Sequence, residues 1–182
     1  FSIIIVSTTI LSSCASKKAT DLAVGYVEIK IPCSDHRSDK KFFKASQSST
    51  STNLASSKEK ALLMARQRLS TLIASKMQSV TQRYAGDREI GNASEFNEKF
   101  ENMTRDVLNQ NLYDTEIICE KTMQKSDGSY STFIAVQIDK ETIYNGVNKG
   151  ISNDQKLRQD YDVMKFKEVF DEEMNKMEDG QN

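Results

Sequence analysis

Ser57–Tyr84 reads SKEKALLMARQRLSTLIASKMQSVTQRY. Its apolar residues are Ala61, Leu62, Ala65, Leu69, Leu72, Ile73, Met77, Val80 and Tyr84. At about 100° per residue they fall within a stripe about 160° wide, the pattern of a long helix lying on a core. A second helix is expected over roughly Ser94–Leu112, where Phe96, Phe100, Met103 and Val107 share one line. The stretch between them, Ala85–Ala93, contains Gly86 and Gly91 and reads as a loop.

Downstream, Ile117–Lys125 and Tyr130–Ile138 flank Ser126-Asp127-Gly128-Ser129. Asp-Gly favours a two-residue hairpin turn because both positions require positive φ. Partners in such a hairpin have residue numbers summing to 255. One face then collects Ile117, Cys119, Met123, Tyr130, Ile134, Val136 and Ile138. Glu120, Thr122, Gln124, Ser131 and Gln137 lie opposite, with Ile118 and Phe133 as exceptions.

Upstream of the long helix, Val24–Cys33 alternates as a half-buried strand ending near Pro32. Phe42–Ser51 alternates as a second strand that fades into a Ser/Thr/Asn run. A short helix is expected over Glu141–Val147 and a charged one from about Asn153 to Met177. Strands, two helices, two strands and a helix imply an α+β fold: a small antiparallel sheet packed against two helices, with an additional C-terminal helix. The expected organisation is a clipped signal peptide over 1–13, a lipidated tether over 14–23, the α+β domain over 24–150, and a helix and tail over 151–182.

The anchor comes from the start of the chain. Phe1–Leu11, FSIIIVSTTIL, is uncharged and too short to span a bilayer, and it fits the apolar region of a secretory signal. Leu11-Ser12-Ser13-Cys14 then resembles a bacterial lipobox, in which the Cys14 thiol takes up diacylglycerol. Acyl chains such as palmitate hold a protein at the membrane by roughly 0.8 kcal/mol per buried methylene. Ala15 rather than Asp after the cysteine resembles the outer-membrane sorting pattern, and the following Ser-Lys-Lys lacks an acidic surface-export signal. The expected location is therefore the outer membrane, facing the periplasm.

The chain resembles the lipoprotein-twenty (Lpp-twenty) family of Gram-negative envelope lipoproteins. The resemblance rests on Phe43-Lys44-Ala45-Ser46, on Ala61-Leu62-Leu63-Met64-Ala65-Arg66-Gln67-Arg68-Leu69 with Ile73, and on the hairpin Ile117–Ile138. It covers residues 42–140 and implies a small α+β envelope domain with no enzymatic activity and no cofactor. The segment after Gly150 departs from the family pattern.

No catalytic constellation is evident. His36 is the sole histidine, and no Cys/His spacing supplies it with zinc partners. Cys33 or Cys119 with His36 is the one nucleophile–base combination, and the hairpin register turns Cys119 towards the core. Gly146 and Gly150 are too isolated for a phosphate loop, and the Asn92 and Asn102 sequons read as coincidence in a bacterial envelope. Arg66, at the margin of the apolar stripe, either covers the core edge with its stem or bonds a sheet carboxylate such as Glu120.

With Cys14 acylated, Cys33 and Cys119 remain, and the pair is compatible either with a disulfide or with two small buried hydrophobes. Residues 14–90 carry 14 basic and 7 acidic side chains, and residues 91–182 carry 11 and 19, an asymmetry compatible either with a polyanion partner or with halves that attract each other within one fold. Nucleic-acid binding is not supported, because basic residues are spread around the first helix without interleaved aromatics.

What remains is a non-enzymatic module. It either engages an envelope protein or itself, or binds glycan, peptidoglycan or lipid. Along Asn153–Met177, Leu157, Tyr161 and Met164 lie nearly opposite Val163, Phe166, Phe170, Met174 and Met177. That switch implies either a break near Tyr161–Met164 or a second half that faces a body other than the main core. A bent helix packing both halves on its own chain would also accommodate it.

Overall fold

Five helices begin at an Asn or Asp whose side chain caps the first turn. The structure, a computed structural model, describes residues 29–88, 90, 92–159 and 161–179, with side chains 113 and 177–179 excepted. Its elements are β1 (Phe42–Ser51), α1 (Leu54–Asp87), α2 (Ala93–Asn111), a 3-10 turn (Leu112–Asp114), β2 (Glu116–Gln124), β3 (Tyr130–Asp139), α3 (Lys140–Asn153), α4 (Gln155–Gln159) and α5 (Val163–Asp179). Asn53 accepts from the Ser56 amide and Asn92 from Glu95; Asp139 accepts from Glu141, Asp154 from Leu157 and Asp162 from Lys165. Each cap satisfies an amide that the helix leaves without an internal partner. The chain divides into two units at Lys30/Ile31, and these elements all belong to the second.

The sheet is antiparallel in the order β1-β3-β2, and the fold is α+β. The strand expected over 24–33 is not formed among its described residues. Residues 24–28 of the segment 24–33 lie outside the described residues, Ile29–Ile31 are irregular, and Pro32–Asp35 form a turn. Cys33 has φ +61°, in the left-handed region where a strand cannot continue.

The hairpin register differs from the expected one. Gly128, at φ +82°, donates its amide to Lys125 O, while Lys125 N donates to Ser129 O. The loop therefore has three residues rather than two, and partners sum to 254, as in Thr122↔Thr132 and Glu120↔Ile134. A bulge between Ile117 and Cys119 shifts the rest of β2 once more. A slip of one residue turns every side chain to the other face. Glu120 and Thr122 thus face α1, whereas Cys119 pairs with Ala135 on the face turned away from it.

The buried polar contacts between α1 and the sheet follow this register. Ser57, fully buried, donates to Leu54 O at 2.9 Å and shares a 2.8 Å hydrogen bond with Thr132, which also meets Thr122 at 3.1 Å. Glu120 pairs with Lys58 at 2.6 Å rather than remaining for Arg66. Arg66 instead donates from Nε to Thr115 Oγ1 at 3.0 Å.

Along α1, every fourth residue from Ser57 through Ala85 is buried. Four residues over-rotate a 3.6-residue turn by about 40°, so the buried line winds around the helix. The winding reflects a change of partner. The N-terminal half lies on β1 and β3, while the C-terminal half packs on α2 and α5. Tyr84, fully buried, stands among Phe96 of α2, Tyr161 just before α5 and Phe166 of α5, at centroid distances of 5.9, 6.1 and 5.6 Å. Its hydroxyl accepts the Asp162 amide at 2.7 Å.

The tail therefore belongs to the core, contrary to the expectation that part of it faces another body. The helical run is interrupted between Gln159 and Val163, which separates α4 from α5. Leu157 of α4 and Phe166, Val169, Phe170 and Met174 of α5 are all buried in the one hydrophobic cluster. Lys140, itself buried, reaches Met174 O at 3.5 Å and so binds the start of α3 to α5. Arg83 of α1 pairs with Glu172 and, at 3.1 Å, with Glu173.

α3 also runs further than expected, through both glycines to Asn153. A Cβ on Gly146 would stand 2.7 Å from Val107 Cγ1, and one on Gly150 would stand 2.6 Å from Met103 Sδ. These glycines let α2 and α3 approach closely. The two contacts differ in stiffness, since Val107 is β-branched and Met103 has three rotatable bonds. Gly146→Ala should therefore lower stability by about 1–3 kcal/mol despite its better helix propensity, as overpacking does. Gly150→Ala should fall within about 0.5 kcal/mol of neutral as Met103 moves aside. Urea titration of the two variants checks the difference.

Acid should loosen the α1–α5 tie. Hydrogen bonds from Lys176 and Arg83 hold the Glu173 carboxyl below its ordinary value, against a smaller opposing effect of burial. A depressed folded value stabilises fully above the unfolded pKa, about 4.3, and that stability is lost as pH falls through the folded value. Glu173→Gln should lower stability at neutral pH and flatten its decline below about pH 4. Melting curves across that range give the comparison.

Candidate functional site

Cys14 lies outside the described residues. Cys33 and Cys119 are joined in a disulfide with Cα atoms 5.7 Å apart. Cys33 is buried against the outer face of the sheet, beside the fully buried Ala135 and outside the main hydrophobic cluster. The disulfide is therefore formed on the face opposite α1, not on the core face expected for Cys119. Both sulfurs are engaged, which removes Cys33–His36 and Cys119–His36 as nucleophile–base pairs. His36 lines a shallow depression with Arg37, Lys44 and Arg68, a cationic setting unsuited to a metal ion. Among the described residues no group of three or more His, Cys, Asp or Glu could hold a metal. No described helix is long and apolar enough to cross a membrane.

A groove of about 450 Å³ opens between the C-terminal half of α1 and α2. That volume lies within the range of small-molecule sites. Its apolar part is Met77, Phe100 and Leu108, which belong to the core or flank it. Small and neutral polar side chains make the walls: Ser70, Thr71, Ser75 and Gln78 from α1, and Asn97 and Asn109 from α2. The charged pair Glu101–Arg105 is internally matched at 3.3 Å. The groove exists because α1 presents Ser70, Thr71, Ala74 and Ser75 where larger side chains would close the gap.

Two polar atoms among these residues have no partner. Asn97 Oδ1 and Thr104 Oγ1 are both buried without a hydrogen bond, and Thr104 is 4% exposed. Elsewhere, hydroxyls inside helices donate to the carbonyl four residues back, as Thr71 does to Gln67, Thr81 to Met77 and Ser152 to Asn148. Thr104 makes no such bond. An unsatisfied buried polar atom costs about 1–3 kcal/mol, which makes two beside one groove a departure from ordinary packing. The sequence reading did not find this site. Its signal was the set of small residues Ser70, Thr71, Ala74 and Ser75, which resembles any solvated helix face until the facing helix is known.

The disulfide closes a long stretch of chain, with a sequence separation of 86. Cross-linking at that separation mainly restricts the unfolded chain. Reduction, or Cys33→Ser with Cys119→Ser, should lower stability by about 2–4 kcal/mol and leave the helical circular-dichroism signal in place. Denaturant titration with and without reductant measures the loss.

The chain matches no family model, and searches of curated proteins and of solved structures find no match.

Proposed function

We propose that this chain is a non-enzymatic lipoprotein of the bacterial envelope. In this reading, acyl chains on Cys14 hold it at the outer membrane, facing the periplasm, and its soluble domain is an interaction module of the kind the lipoprotein-twenty resemblance implies. The observation that carries the reading is the Cys33–Cys119 disulfide. Disulfides persist in oxidising compartments such as the periplasm and are rare in the reducing cytosol. Pairing these two cysteines leaves Cys14, directly after the apolar segment, as the single unpaired cysteine of the three, which suits it to acylation.

Partner engagement follows from tethering. A domain tethered to a membrane searches a thin layer beside it, where effective concentrations reach about the millimolar range and weak contacts suffice. The expected occupant is an envelope protein or a second copy of the chain. A second reading, a binding module for glycan, peptidoglycan or lipid, is favoured by the groove between α1 and α2, whose walls are neutral and hydrogen-bonding.

Mass spectrometry of the mature protein should find an N-terminal, acylated Cys14, and Cys14→Ser should move the protein from the membrane to the soluble fraction. A mature chain that begins elsewhere, or a Cys14→Ser protein that still sediments with membranes, would overturn the proposal.

A further inference from the structure

We infer that the outer edge of β1 takes up an extended segment of a partner protein as a fourth strand of the sheet. The segment carries carboxylates at alternate positions on either side of an apolar residue. The inference rests on the leading functional reading, an interaction module, and names the chemistry of its partner.

The edge itself is the first observation. β1 pairs with β3 on one side only, so half of its backbone groups point away from the sheet. At Phe42 and Lys44 those groups are covered. Asp39 Oδ1 accepts the Phe42 amide at 2.8 Å, Asp39 N donates to Phe42 O at 3.0 Å, and Ser38 Oγ accepts the Lys44 amide at 2.9 Å. The ladder with β3 runs without a shift from Phe42↔Asp139 to Ser51↔Tyr130, so Ser46, Ser48 and Thr50 point the same way. Among the described residues, nothing hydrogen-bonds their N–H or C=O groups on that side. Ser46–Ser51 reads SQSSTS and lacks the charge, proline and bulge that usually guard an edge. The opposite edge, β2, has Glu120, Lys121 and a bulge.

Beside the edge, α1 supplies the second observation. Ser57 meets Thr132, which lies across from Ser49, and Arg68 lines the depression with Ser46 and Gln47, so α1 runs back along β1. Lys60, Met64 and Arg68 each precede a residue of the buried line, Ala61, Ala65 and Leu69, and so share the flank that overlooks this edge. All three are exposed, Met64 at 43%. Neither Lys60 nor Arg68 forms an ion pair among the described residues. No Asp or Glu lines the depression, where Lys44 is matched by Asp39.

Spacing is the third. Four residues of helix rise about 6 Å, and alternate residues of a strand stand about 6.6–6.8 Å apart. Positions i, i+2 and i+4 of an added strand therefore face Arg68, Met64 and Lys60. Carboxylates at the two outer positions pair with the cations, and an apolar residue between them covers Met64. A second copy pairing β1 with β1 fits poorly, because it sets one cationic flank against the other. Main-chain hydrogen bonds then supply affinity, and the alternating side chains supply the choice of partner.

The test uses the full chain in detergent solution, with the end-blocked peptide Thr-Thr-Glu-Thr-Val-Thr-Glu-Thr-Thr as probe. One comparison peptide has Lys in place of both Glu; another is N-methylated at its five central residues and cannot donate to a strand edge. Calorimetry should show saturable binding of the Glu peptide. Amide NMR shifts should concentrate at residues 46–50 and 60–68, and exchange of the Ser46, Ser48 and Thr50 amides should slow. The other two peptides should bind about tenfold more weakly or not at all, since each loses either both ion pairs or the main-chain hydrogen bonds.

Two variants locate the binding. Arg68→Glu is made at an exposed position without an ion pair, so it should fold normally, weaken the Glu peptide about tenfold and strengthen the Lys peptide. Ser48→Pro removes an outward amide from an edge strand, where proline is tolerated, and should abolish binding of the Glu peptide. Should Ser48→Pro fail to fold, the charge exchange at Arg68 still decides. No binding at millimolar Glu peptide would overturn the inference. So would shifts that map elsewhere, equal binding of all three peptides, unchanged binding by the Arg68→Glu protein, or an edge already closed by a second copy of the chain. Acylation of Cys14 and membrane fractionation are read without the peptide, so failure of strand addition is distinguishable from failure of the lipoprotein reading.

Discussion

The winding buried line of α1 is the constraint on which the rest of the structure depends. A helix of 34 residues spans about 51 Å at 1.5 Å per residue, too long for a three-stranded sheet alone to cover. The sheet takes the half that carries Ser57, Ala61 and Ala65; α2 and α5 take the half that carries Met77, Val80 and Tyr84. Small residues let the sheet come close at one end. The ring of Tyr84 gathers aromatic side chains from α2 and α5 at the other. Burying a large apolar side chain is worth about 1.5–3 kcal/mol, so Phe96, Phe100, Phe166 and Phe170 are a large share of the second half's stability.

The two faces of the sheet are put to different uses. One packs on α1 through Phe43, Ala45, Ile134 and Val136. The other receives the segment that carries Cys33, fixed to β2 by the disulfide. In the chain, 18 residues separate Cys33 from Cys14. The groove lies elsewhere, between α1 and α2.

Much of the fold was legible because it rests on periodicity. The α1 stripe, the α2 line and the alternation of Phe42–Ser51 each repeat over several turns or pleats, and these elements occur where the pattern places them. The hairpin face depended on one residue. Asp-Gly serves both a two-residue turn and a three-residue loop with Gly128 at positive φ, and only the backbone distinguishes them. The bulge at Ile118 leaves no trace in composition. In the tail, the opposed apolar clusters did mark a break, but the sequence could not say that both sides of it return to the same core. The use of Gly146 and Gly150 was not legible, because their role is a distance to Val107 and Met103. The groove was illegible for a similar reason, being made by missing volume on two helices that meet only in three dimensions.

If α1 couples the sheet to the aromatic cluster, the two halves must unfold together. Native-state hydrogen exchange of the amides along α1 and α5 measures this most directly. Amides at 61–73, 77–84 and 166–174 should then open with one common free energy, equal to that of global unfolding. Exchange of 77–84 and 166–174 at a clearly lower free energy, while 61–73 stay protected with the sheet, would contradict a single core organised by α1.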